Sequence, residues 1–456
     1  MMHIKDKALW IKYAKQSLIE SSIALLLFWI LYAGHKVELV RSIAGDTAFS
    51  QMNSLLFASL KTTDRWDTPV VLYKVDKGYF QDAKLLDEYN NTTYGNLFPR
   101  SKIAGFIEKL DNQSPSREPL AFFIDFDMSD GSASYDNNST ANHISADDMV
   151  LLKRLAMERS YAILIPKNTP NNFIESYATN YHNAISTGLK RNISKNKIIF
   201  VGVDLLGSDT IIYRYNPMTK YNNSDQVYYN IALVGWQLRK YNGELNTTEL
   251  DEIYNPDIFL DKVQVQKGGA ALFRSNILYK DVVLEDEGRL KELHSNWNNL
   301  KYISALKLLK ESELDISNNT IVMIGIDYQK RDIHNSTLGK MQSGAMIHAQ
   351  SLKTVLFLDG KLEHFNLFLG FIIIFIVFFT VTILVRYYLN SYPEWVKFII
   401  ELITLTLILF GISMTILLLY HQWFNWFMPI VIFYIYDTVI IAREYFAKKQ
   451  TQGETK

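Results

Sequence analysis

The chain has 456 residues, with 47 Lys and Arg against 47 Asp and Glu, a formal net charge of +0, and no cysteine. That balance leaves no basic footprint for nucleic acid, and neither a helix-turn-helix nor a zinc-ligand spacing appears. Disulfides, thiolate metal sites and cysteine nucleophiles are excluded, although the lack of cysteine does not by itself fix a compartment.

Four lysines, Lys5, Lys7, Lys12 and Lys15, precede an apolar run through Leu18 to Gly34. A basic flank followed by such a run predicts membrane insertion. Leu31-Tyr32-Ala33 offers only one of the two small residues a signal-peptide cut requires, so an uncleaved anchor is expected. Apolar residues from Val37 to Leu60 recur at helical spacing and predict a helix leading out of the membrane. Strand-like and helical runs then alternate. Val70 to Val75, Leu120 to Phe126, Tyr161 to Ile165 and Ile198 to Val203 read as strands; Ile103 to Leu110, Met149 to Met157 and Val227 to Leu238 read as helices. Near-continuous apolar strands alternating with helices predict an α/β sandwich whose largely parallel sheet is covered on both faces. The polar stretches Pro166 to Gly188 and Lys240 to Tyr302 read as surface loops and insertions.

The last soluble unit runs from Ile321 to His364: a buried strand at Ile321 to Ile326, a polar loop, and a helix from Gly344 onward. After it come three apolar runs, 365–385, 398–420 and 424–442, each long enough, or nearly so, to cross a hydrocarbon core of about 30 Å. The Arg386 to Lys397 linker carries two basic residues, His421-Gln422-Trp423 carries no Lys or Arg, and the tail carries Arg443, Lys448 and Lys449. The positive-inside rule then places residues 1–17 and 443–456 in the cytoplasm, spans at 18–34 and at the three C-terminal runs, and 35–364 outside.

Several of these positions resemble the CHASE2 family of extracytoplasmic sensor domains. They are Val75-Asp76, Phe98-Pro99-Arg100, Ile124-Asp125, Asp147-Asp148, Ile324-Gly325, Asp332, Ser336-Thr337, Gly344 and Ile347-His348-Ala349, in that order. The resemblance covers roughly Val37 to Glu363 and implies sensing rather than catalysis, in a bacterial inner-membrane protein with a periplasmic domain. Such domains usually precede an output domain. Past Ala442 too few residues remain for a kinase or cyclase, so the signal is expected to pass to another protein.

Asp76, Asp125, Asp127, Asp204 and Asp327 fall at or just beyond predicted strand ends, the edge where ligands bind in open α/β sheets. Their carboxylates suit Mg²⁺ or Ca²⁺, but helix and turn capping is the favoured reading for each, and the metal question stays open. Together with Arg100, Asp332 and His348 in the neighbouring elements, Asp76, Asp125 and Asp127 form the candidate ligand site. His348 is favoured as a packing residue over a pH sensor. Arg100 reads as the partner of a strand-end Asp or as an anion ligand. Asp437 is an acid inside a membrane run, with interfacial and functional readings equally open. Which cofactor, if any, the chain takes is left open. The expected partners are the lipid bilayer and an unidentified signalling or envelope protein, with self-association left open. A sensor is the first expectation, an assembly component of an envelope complex the second, and a metal-dependent extracytoplasmic hydrolase the last.

Overall fold

The structure, a computed structural model, describes residues 4–33, 63–89, 91–92, 98–129, 144–170, 172–208, 211–215, 217–220, 226–254, 282–285, 292–295, 297, 299–327, 333–336, 341–360, 363–364, 367–420, 422–423, 430, 434 and 438–439. The expected helix at Val37 to Leu60, Asp332, Asp437 and nearly all of the expected last span lie outside the described residues.

The chain divides into two compact units. The larger, Ser50–Lys267 with Ser275–Lys361, is built on one sheet. In chain order its strands are β1 (Val70–Val75), β2 (Ala121–Asp125), β3 (Ala162–Pro166), β4 (Ile198–Val201), β9 (Val282–Glu285), β10 (Glu292–Ser295), β11 (Leu300–Ser304) and β12 (Ile321–Ile326). Their spatial order is β4-β3-β2-β12-β1-β11-β10-β9. The six strands from β4 to β11 are parallel, and the last two add antiparallel.

Parallel strands bury both faces because crossover helices cover both. One face, formed by Val71, Tyr73, Val75, Phe122, Ile124, Ile163, Val322 and Ile324, meets α3 (Arg100–Asp111), α4 (Ala146–Leu155), α6 (Ala184–Ser194) and α9 (Ala305–Lys310). The opposite face meets α7 (Ile231–Lys240) and α10 (Gly344–Phe357), which also pack on each other. Smaller helices α2 (Lys77–Asp82), α5 (Phe173–Asn180) and α8 (Thr247–Tyr254) complete a three-layer α/β/α sandwich. Its sheet and flanking layers are those the alternation of strands and helices predicts.

Two expectations are corrected. Val227 to Leu238 is not one helix: β8 (Val227–Tyr229) pairs with β7 (Met218–Lys220), and α7 begins only after Asn230. The Asn230 side chain accepts from Ala232 N at 3.0 Å, a cap that forces the break in an otherwise apolar run. The polar stretches read as loops contain α5, the start of α6, α8 and β9 to β11. A second, four-stranded sheet joins β14 (Met341–Ser343), β13 (Ile333–Ser336), β6 (Ile211–Tyr215) and β5 (Leu205–Ser208). It links a hairpin that follows β4 to one that follows β12.

The smaller unit contains α1 (Ile4–Ala33), α11 (Leu367–Tyr388), α12 (Glu394–Tyr420) and a two-residue strand pairing of β15 (Glu363–His364) with β16 (Gln422–Trp423). Among the described residues, Phe368–Tyr388 and Glu394–Tyr420 are long and apolar enough to cross a membrane. α1 packs along α11, and the Tyr13 hydroxyl donates to Asn390 Oδ1. Ser17 and Ser21 continue the buried stripe of α1 one and two turns on. Small polar residues of this kind let helices approach closely in lipid. Between α11 and α12, Thr382 donates to the buried Glu401 carboxylate.

Candidate functional site

The sheet register places Ser304, Lys74, Gly325 and Asp125 side by side on β11, β1, β12 and β2. This row closes the C-terminal edge of the four central strands. Because side chains alternate along a strand and Val75 and Ile324 face the α3/α4 layer, Lys74, Asp125, Tyr302 and Ser304 face the α7/α10 layer. There the row meets the first turn of α10. A Cβ on Gly325 would stand under 3.0 Å from Ala345 Cβ and 3.2 Å from Asp125 Oδ2, so the helix start, the strand end and the carboxylate converge on one point.

The acids two residues further along, Asp76 and Asp327, are engaged. Asp76 accepts from Tyr79 N at 3.1 Å, capping α2, and from Ser304 Oγ at 2.9 Å. Asp327 accepts from the Tyr302 hydroxyl at 2.7 Å. Burial, then the Asp327 charge, holds the Tyr302 hydroxyl well above its ordinary pKa, so it remains a protonated donor. Lys74 Nζ lies 4.9 Å over the Tyr302 ring, a cation–π contact that sets a positive charge beside the row. Ser343 caps α10 through Met346 N at 3.4 Å. The positive end of that helix dipole therefore looks onto a carboxylate-rich edge, an arrangement that favours negative charge there.

The other sequence candidates fall elsewhere. Asp127 makes a local turn, accepting from Ser129 N at 2.9 Å and Ser129 Oγ at 2.6 Å. Arg100 is fully buried beneath α4, 3.9 Å from Asp148, with its guanidinium over Phe173. Asp148, an acid at the start of α4, is thus one partner of its charge. The neighbouring Asp147 accepts from Arg100 N at 2.6 Å and Ser101 N at 2.9 Å. It supplies from another helix the cap that Pro99 cannot give. His348 lies on α10 with its ring edge-on to Phe123, 5.7 Å between centroids. Burial, with a smaller contribution from His334, pushes its pKa down to about 3, so the ring is neutral where it packs on Phe123. Among the described residues no three His, Asp or Glu side chains come together in a way that could hold a metal ion.

Sequence reasoning missed Tyr302, the last residue of a stretch read as loop, Ser304 just beyond it, and Lys353, a lysine buried on α10. A lone Lys in a helix apolar on every side was the available signal for the last of these.

An α/β domain followed directly by apolar helices of membrane-spanning length defines a class of membrane-attached domain proteins. A family model described as the CHASE2 domain matches residues 23–385, and the chain belongs to that family. CHASE2 domains are extracytoplasmic sensor domains. Neither a curated protein nor a solved structure matches the chain.

Proposed function

We propose that this protein is a multi-pass sensor of a bacterial inner membrane, that α1, α11, α12 and the run at 424–442 anchor it, and that it carries no catalysis of its own and signals through a partner protein. One observation supports this reading above the others. The polar row at the strand ends lies under the first turn of α10, and α10 is the last helix before the chain continues into α11. A ligand that changes charge or spacing at Asp125, Lys74 and Tyr302 acts on α10, which the two-residue β15 alone separates in the chain from α11 among the described elements.

The test is gentle detergent purification of the full-length protein with its native partners, in parallel with Asp125→Asn, read by quantitative mass spectrometry. A cytoplasmic enzyme recovered in fixed ratio, with its activity or occupancy altered by Asp125→Asn, is the expected result. An envelope protein recovered equally with both forms overturns the sensor in favour of an assembly role.

A further inference from the structure

The chain comes into the α/β domain through residues 63–69 and leaves it through the end of α10. These two segments, far apart in sequence, are bound to each other. Lys353 Nζ donates to Asp64 Oδ2 at 2.5 Å and to Thr68 O at 3.1 Å, and both charged side chains have 0% exposure. The other Asp64 oxygen accepts from Trp66 N and Thr68 N, each at 3.0 Å. A buried pair satisfied on both sides fixes geometry strongly, because separating it strands two charges in a medium that cannot solvate them.

A second set of bonds closes the same junction from the α10 C-terminus. Asp359 accepts from Arg65 at 2.6 Å, from Trp66 Nε1 at 3.2 Å and from Trp236 Nε1 at 3.3 Å. Its φ of 50° aims the carboxylate back at the incoming segment, and the next residue, Gly360, has φ 73°. Any Cβ at Gly360 would fall under 3.0 Å from the Trp236 indole. Arg239 on α7 completes the junction by donating to Trp66 O at 3.1 Å.

We propose that Asp64, Lys353 and Asp359 form a lock that makes the incoming segment and the outgoing helix one rigid body. The domain then delivers motion to its two ends together, as a joint tilt or rotation, and not as a sliding of one past the other. The proposal rests on the sensor reading for its purpose, but its geometry does not.

The absence of native cysteine allows clean spin labelling of the full chain in lipid nanodiscs. Labels go on Thr63→Cys in the incoming segment and Met341→Cys on β14, which runs directly into α10, both at exposed positions. In the otherwise unaltered chain the distance distribution is expected to be single and narrow. It is expected to broaden and shift to longer distance in the neutral, shape-matched double variant Asp64→Asn/Lys353→Met. Asp359→Gly, which removes the acceptor at a φ that glycine tolerates, replaces the double variant if that fails to fold by circular dichroism. A broad distribution in the unaltered chain, or an unchanged width in the folded variant, overturns the lock. The measurement needs no ligand, so failure of the sensor reading leaves it decisive.

Discussion

Replacing Gly325 with Ala tests whether the strand edge and the start of α10 are in the tight contact described above. The new Cβ would stand under 3.0 Å from Ala345 Cβ and 3.2 Å from Asp125 Oδ2. Carbon pairs settle at about 3.5–4.0 Å, so α10 must move outward or β12 must bend. Overpacking of this kind costs about 1–3 kcal/mol. At about 2 °C per kcal/mol for a large domain, the melting temperature falls by about 2–6 °C. The assay is thermal unfolding of the full-length protein in detergent, followed by near-ultraviolet circular dichroism. Ala345→Gly removes the other half of the clash. Alone it costs up to about 1 kcal/mol through helix propensity, but combined with Gly325→Ala it should recover most of the loss. If Gly325→Ala melts at the wild-type temperature, or if Ala345→Gly adds its own cost without any recovery, the contact between strand edge and helix is refuted.

Three further outcomes are expected. Asp76→Ala removes the cap of α2 and leaves Ser304 without its acceptor, which should cost about 1 kcal/mol in denaturant unfolding; Asp76→Asn should retain most of it. Arg100→Met leaves Asp148 buried without its cation and should cost about 3–5 kcal/mol, whereas Arg100→Met with Asp148→Asn should cost clearly less than the single change. His348 has an unfolded pKa of 6.5 and a folded value pushed down to about 3, so the unfolded chain binds the extra proton between those limits. Its contribution to stability is therefore intact above pH 6.5 and lost progressively as pH falls toward 3, amounting to about 2 kcal/mol lost at pH 5. His348→Leu should flatten the thermal stability profile between pH 7 and 5; a profile identical to wild type would refute the neutral assignment.

The parts of the fold that were legible in the sequence are those where burial alone decides the residue type. Ile321 to Ile326 is an unbroken apolar run, and Val70 to Val75 is apolar but for Lys74 near its end, because a central parallel strand is covered on both faces; they match β12 and β1 residue for residue. Val227 to Leu238 misled because a buried strand followed by a buried helix leaves no polar spacing, and only Asn230 marks the joint. Leu300–Ser304 was hidden for the opposite reason: Lys301, Tyr302 and Ser304 give it a polar look although it pairs with β1. Of the candidate site, Asp76 and Asp125 were visible as strand-end acids. The bond from Ser304 to Asp76 was not, nor was the pairing of Asp64 with Lys353, because contacts between residues more than 200 positions apart leave no local trace.

The position of β12 has a consequence for how the domain comes into being. It is the last strand of the main sheet to emerge during synthesis, yet it lies in the middle, between β2 and β1. Until Ile321 to Ile326 has been delivered across the membrane, β4-β3-β2 and β1-β11-β10-β9 remain two half-sheets, each with one bare parallel edge. Such edges are slow to pair and prone to wrong partners. Maturation of the domain is thus timed by the arrival of its final strand, and α10 follows within the same short stretch of chain to cover it.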